Sequence, residues 1–282
     1  MNQEPGKPAV LYRVAFFLGL FILLVNMGAS AEVTRYVRYR QNGAVSYGIV
    51  DGTTVHELSG NIFAEHHRTG NSFELSAVKL LPPTAPSKIL AVGRNYRSHG
   101  VFAGGKTPSL FAKLPSALIA GGDSIIYPED AGNLHYEGEM VVVIGKKAKN
   151  VTVDEAPDYI FGITAGNDVS ERDWQANDLQ WLRGKATDGF APVGPVIAQG
   201  LDYNDLLVQT RVNGEIRQSE RTRNMMSSVD QIVSYASRYF TLYPGDLIFT
   251  GTPGKTRAMQ PGDVVEVEVQ GVGILHNQVV KP

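Results

Sequence analysis

HYEGEMVVVIG, residues 135–145, sets two glutamates one residue apart at the entrance to an apolar run. Side chains alternate faces along a strand, so His135, Glu137 and Glu139 share one side while Tyr136, Gly138 and Met140 take the other. Val141 and Val143 continue the carboxylate side with apolar residues, the mark of a strand leaving a buried interior where the acids stand. Adjacent buried carboxylates repel each other and resist desolvation unless a cation lies between them. Magnesium, manganese or calcium would relieve this, because hard divalent ions prefer oxygen ligands. The competing reading is a solvated strand face. A comparison stands in the same chain: in VVEVEVQG, residues 264–271, Glu266 and Glu268 have the same spacing, but Val265, Val267 and Val269 fill the opposite face. Such strict alternation belongs to a half-exposed strand, and this second pair is read as surface.

A third acid stands in GNDVSERDWQ, residues 166–175, where Asp168 follows the apolar strand YIFGITAG and precedes a short helix. Ends of strands beside loops are common ligand positions, and equally common places for turn and cap residues. The helix is expected to open at Ser170, with Asp173 completing a capping box, which makes Glu171, Arg172 and Asp173 its first turn. Farther out, KILAVG, SIIYP, GPVIA, LVQTRV and DLIFTG are short, β-branched and bounded by turn residues. Val212-Asn213-Gly214-Glu215 signals a hairpin, as do Asn42-Gly43 and Asp51-Gly52 within the alternating stretch 34–58. VDQIVSYASRYF, residues 229–240, has helical spacing of apolar residues after Ser228, a suitable N-cap. The proline-rich LLPPTAPSK, residues 80–88, reads as a linker. The expected fold is α+β and β-rich, with a small N-terminal β subdomain and linker over 32–87 and a larger domain over 88–282.

Residues 1–31 stand apart: Lys7 and Arg13 precede the apolar run Val14–Val25, and Ala29-Ser30-Ala31 resembles a cleavage site. This is the layout of a signal peptide, or of an N-terminal membrane anchor if it is retained, and implies export to a periplasmic or extracellular place. The 282 residues are 43% hydrophobic and 19% charged, a globular balance. A net charge of -2 offers no basic stripe for phosphates, which excludes a nucleic-acid partner and leaves a small-molecule ligand. With no cysteine, disulfides, thiolate nucleophiles and cysteine-bound zinc are excluded, so any metal sits on oxygen or imidazole.

Five blocks in this order, GRNYRSH at 93–99, HYEGE, GNDVSERDWQ, KATDGFAPVGP at 185–195 and PGDLIFTGTPGKT at 244–256, resemble the fumarylacetoacetate hydrolase superfamily from about Lys88 to the end. The resemblance implies a mixed β-roll catalytic domain, a homodimer and a Mg2+ or Mn2+ ion on Glu137, Glu139 and Asp168. It further implies that Lys185 stabilises developing negative charge beside the metal, and that Arg94, Gln175 and Thr252 hold substrate oxygens, with Tyr96 packing beside the pocket or in the core. His99 matches the histidine that activates water in hydrolytic members together with a glutamate three residues later; here that position is Phe102, which cannot accept a proton. The implied activity is hydrolytic cleavage of a carbon-carbon bond in a small 2-oxo or β-diketo acid. The alternatives are isomerisation or decarboxylation of an unsaturated 2-oxo diacid, which Phe102 favours, and an exported, non-catalytic 2-oxo acid binder. VFAGGKTPSLF, residues 101–111, reads as a substrate loop or lid hinged at Gly104-Gly105.

Overall fold

The structure, a computed structural model, describes residues 32–100 and 107–282 together with residues 1, 2 and 6. The leader, Phe102 and the Gly104-Gly105 hinge lie outside the described residues. Among those described, no helix is long and apolar enough to cross a membrane.

In chain order the main strands are β1 (Thr34–Gln41), β2 (Ala44–Asp51), β3 (Thr54–Gly60), β4 (His66–Glu74), β5 (Ile89–Gly93), β6 (Ser109–Lys113) and β7 (Gly138–Ile144). They continue with β8 (Ile160–Asn167), β9 (Ala191–Gln199), β10 (Leu207–Val212), β11 (Glu215–Arg221), β12 (Leu247–Phe249), β13 (Val264–Val269) and β14 (Gly273–Val280). Helices are α1 (Arg172–Asn177), α2 (Leu182–Ala186) and α3 (Val229–Tyr239). One large mixed sheet runs β4-β3-β2-β1-β9-β8-β7-β12-β5-β6, and a second runs β11-β10-β13-β14 with Ile125–Ile126 at its edge. The fold is the strand-rich α+β arrangement that the sequence led us to expect.

The hairpins turn where asparagine and glycine tolerate left-handed backbone: Asn42 and Gly43 have φ of 49° and 83°, and Asn213 and Gly214 have 53° and 80°. The N-terminal strands do not form a sheet of their own. β1 lies antiparallel to β9, with Thr34 opposite Gln199 and Tyr36 opposite Ile197, so residues 31–282 form one compact unit. The proline-rich linker is fastened at its end: buried Asp246, from the Pro-Gly-Asp turn, accepts from the Ser87 and Lys88 backbone N–H groups at 2.9 and 3.1 Å and meets Lys88 Nζ at 2.5 Å.

β7 is buried along its whole length, and its two faces feed two cores. Met140, Val142 and Ile144 pack with Val267, Leu275 and the α3 residues Ile232 and Val233. Val141 and Val143 pack with Ile89, Ile197 and Phe249. α3 starts at the expected cap: Ser228 Oγ accepts from the Gln231 N–H while the Gln231 side chain returns to the Ser228 N–H.

Two local expectations are corrected. Ser170 is not the cap of α1, because Ser170–Glu171 is a short strand paired with Leu134–His135. The cap is the buried Glu171, whose carboxylate takes the Trp174 N–H at 2.7 Å and the Asn133 N–H at 2.7 Å. The last three residues of the supposed loop, SLF at 109–111, belong to β6, an antiparallel partner of β5.

Candidate active site

The site gathers where strands of the large sheet end. Glu137 precedes β7 and Glu139 lies within it; Asp168 follows β8 directly, and the register Gly138↔Asn167 brings the three acids together. All three are buried, with one ligand oxygen from each lying within 4.8 Å of the others. The backbone is clamped locally: the Glu137 N–H goes to Asn167 Oδ1 at 2.9 Å, and the Asp168 N–H goes to the Glu137 carbonyl at 2.8 Å. A Cβ at Gly138 would lie 2.0 Å from Thr210 Oγ1, so any side chain between the glutamates would have to push Thr210 aside.

α2 turns Lys185 into the centre of the cluster. Its Nζ donates to Glu137 Oε2 and to Asp168 Oδ2, both at 2.6 Å. Burial opposes the ammonium, but Asp168 and Glu137 outweigh it and raise the Lys185 pKa. Burial also raises the Glu137 carboxyl, and here Lys185, Arg172 and then His99 prevail and hold it well below the usual range. Glu139 is the exception. Its hydrogen bond comes from the Gly251 N–H at 2.6 Å, and burial followed by the charges of Asp168 and Glu137 pushes its pKa well above the usual carboxylate value. An uncompensated, buried carboxylate facing two others is what a hard divalent ion would neutralise, so the residues present fit such a group.

His99 presents Nδ1 to the Gly254 carbonyl at 2.7 Å, and its Nε2 lies 3.2 Å from Glu137 Oε1. A cavity of about 590 Å³ opens in front of these groups, lined also by Arg94, Gln175 and Thr252. Arg94 adopts a left-handed φ of 59°. Thr252 is 3% exposed, and its hydroxyl donates to the Gly138 carbonyl at 2.9 Å, which leaves it acceptor capacity alone. Tyr96 is packed in the interior, 1% exposed, with its backbone bridging Met225; burial and then Glu139 raise its pKa. Phe111 and Trp181 also line the cavity, their rings edge to face at 5.5 Å, with Lys185 Nζ 5.0 Å from the centre of the Phe111 ring. Trp181 reaches that position through two consecutive left-handed residues, Gln180 at φ 60° and itself at 59°.

Two cations in the site were not foreseen. Arg172 reads from sequence as part of a helical first turn, yet its Nη2 meets Glu137 Oε1 at 2.5 Å and Thr256 Oγ1 at 2.9 Å, and its Nη1 meets Gln175 Oε1 at 2.8 Å. Its position, four residues beyond Asp168 and at the first residue of α1, was the available signal. Lys113 is the fully buried end of β6, donating to Asp168 Oδ1 and to the Lys185 carbonyl. Burial pulls its pKa down against the attraction of Asp168. His135 reaches Thr256 Oγ1, the hydroxyl that Arg172 also holds, and Asn133.

The family description "Fumarylacetoacetate (FAA) hydrolase C-terminal" matches residues 88–280, and "Rv2993c-like, N-terminal" matches residues 34–83. Oxaloacetate tautomerase Fahd2a of Rattus norvegicus is 39% identical over 215 residues, which cover 71% of this chain and 69% of that protein. The crystal structure of 2-hydroxyhepta-2,4-diene-1,7-dioate isomerase from Mycobacterium marinum superposes with a TM-score of 0.83 at 38% identity, covering 88% of this chain and 98% of the other. Maleylpyruvate hydrolase of Sphingobium sp. SYK-6, in complex with manganese(II) and pyruvate, gives a TM-score of 0.74 at 26% identity, covering 88% and 99%. With a family match spanning most of its length and the acidic cluster in place, the chain belongs to the fumarylacetoacetate hydrolase family of enzymes.

Proposed function

We propose that the protein is a divalent-metal-dependent enzyme that interconverts keto and enol forms of a small 2-oxo diacid, an isomerase or tautomerase in preference to a carbon-carbon hydrolase. The observation that carries this reading is the setting of His99. Its Nδ1 donates to a neutral backbone carbonyl, Gly254 O, and the carboxylate its Nε2 faces, Glu137, is already held by Arg172 and Lys185. A histidine that activates water gains from a carboxylate that holds Nδ1 and stabilises the imidazolium it becomes. A carbonyl does this less well. Enolisation asks less, namely one group to exchange a proton at carbon and positive charge to stabilise the oxygen.

Glu137, Glu139 and Asp168 would hold the metal, Mg2+ or Mn2+, which supplies Lewis acidity to the 2-oxo carboxylate. The manganese and pyruvate bound by the Sphingobium enzyme support that choice of ion and headgroup. Lys185 Nζ donates toward the oxygen on which enolate charge develops. Arg172 and Gln175, already joined to each other, receive the carboxylate. His99 Nε2 carries the proton to and from the carbon beside the carbonyl. Trp181 and Phe111 close the apolar side of the cavity against water.

The test uses Mn2+-loaded protein, with oxaloacetate and an acylpyruvate as probes. The expected result is faster keto-enol interconversion of oxaloacetate, followed by ultraviolet absorbance and by deuterium entry at the carbon beside the carbonyl. No 18O should pass from labelled water into acylpyruvate cleavage products. Labelled cleavage product without faster interconversion overturns the proposal in favour of hydrolysis.

A further inference from the structure

The strand that carries the two glutamates loses its neighbour at the site end. β7 pairs with β12 as far as Val141 opposite Phe249, and the last backbone bond of that ladder is from the Thr250 N–H to the Met140 carbonyl at 3.2 Å, with Thr250 Oγ1 donating to the same carbonyl at 2.7 Å. The next outward-facing peptide groups on this edge belong to Gly138, between the two carboxylates. Side chains take over from the missing strand. The Gly138 N–H goes to Gln218 Oε1 at 3.1 Å, and the Gly138 carbonyl accepts from the Thr252 hydroxyl at 2.9 Å. Gln218 closes the circuit by donating from Nε2 to Thr252 Oγ1 at 2.8 Å and to the Pro253 carbonyl at 2.5 Å.

The direction of this ring is forced. Gly138 N–H can only donate and the Pro253 carbonyl can only accept, so the Gln218 amide has one workable orientation. Thr252, having accepted from that amide, must spend its proton on Gly138. Gln218 is 2% exposed and stands on β11 of the second sheet, opposite Thr210. The loop it grips also holds two residues of the site: the Gly251 N–H donates to Glu139 and the Gly254 carbonyl accepts from His99.

We propose that Gln218 is a positioning residue, which fixes the spacing of Glu137 and Glu139 by fastening the peptide between them and sets the 251–254 loop in register with it. The inference rests on the metal reading of the acidic cluster. Loss of such supporting hydrogen bonds behind metal ligands typically weakens metal affinity about 10- to 100-fold.

The test is the Mn2+ dissociation constant of the full chain by titration calorimetry without substrate, with kcat and KM at saturating Mn2+ beside it. Gln218→Glu keeps shape and the acceptor for Gly138 but loses both donations; Gln218→Met loses all three bonds. Gln209→Ala, on the neighbouring strand, controls for disturbance of the hairpin. Both Gln218 variants are expected to raise the Mn2+ dissociation constant about 10- to 100-fold and to lower kcat, while Gln209→Ala keeps the parent value. Thr252→Ser, which keeps the hydroxyl, should keep the parent constant, and Thr252→Ala should raise it. This pair decides the matter should the Gln218 variants not fold. Parent affinity in a folded Gln218 variant, or equal constants for Thr252→Ser and Thr252→Ala, overturns the proposal. A parent chain that binds no Mn2+ overturns the metal reading itself, a distinct result.

Discussion

Glu137-Gly138-Glu139 and Glu266-Val267-Glu268 share a spacing and a strand conformation, but their surroundings are opposite. β7 is buried on both faces, and Glu137 just before it and Glu139 within it are 4% and 2% exposed. β13 buries Val265, Val267 and Val269 and leaves Glu266 and Glu268 half-buried, with Glu268 meeting Arg211 at 2.8 Å. The middle residue reverses as well. At 138 there is no room for a Cβ, whereas at 267 a valine fills the core. Carboxylates acquire chemistry here from what covers them, and the residue between them shows in sequence which case applies.

The comparison can be broken first at Glu137. Glu137→Ala should destabilise the metal-free protein by about 3–5 kcal/mol, because it leaves Lys185 and Arg172 without their shared buried partner. Urea unfolding in chelator measures this, and Mn2+ should no longer raise the melting temperature of the variant. Next, Mn2+ at a hundredfold excess over its dissociation constant should stabilise the parent by about 2.7 kcal/mol, a gain that chelator removes and that Glu266→Ala retains. Calorimetric melting with and without the ion checks both. Gly138→Ala should cost about 1–3 kcal/mol, since its methyl group must displace Thr210 and press on Val267 Cγ1, 3.2 Å away. Denaturant midpoints against parent give that figure. The smallest effect belongs to Glu268→Ala, whose part-exposed pair with Arg211 should be worth under about 1 kcal/mol, with the Mn2+ constant unchanged in titration.

Much of this was legible along the chain. The asparagine-glycine turns, the capped α3 and the contrast between the two glutamate pairs follow from local rules, because each is decided within a few residues. The groups that escaped are those whose meaning depends on distant partners. Lys113 ends a short strand and has nothing beside it in sequence to mark a role, because its partners Asp168 and Lys185 lie 55 and 72 positions away. Arg172 obeys the helix pattern and the site at once, and the pattern alone shows the first role only. Ser170 offered the better cap by residue type; Glu171 took it because the chain was still pairing as a strand at that point. Gln218 carried no signal beyond its hairpin, since what it holds is a peptide 80 residues earlier.

The pairing of β1 with β9 has a consequence for dissecting the protein. Two family descriptions meet between residues 83 and 88, and a cut there would follow a seam of inheritance. It would not follow a seam of folding. A chain begun at residue 88 would strip the partner from Ile197, Ala198 and Gln199 and leave open hydrogen-bonding groups at the rim of a hydrophobic sheet. Such a rim recruits further strands, so the shortened protein is expected to aggregate even with every site residue intact.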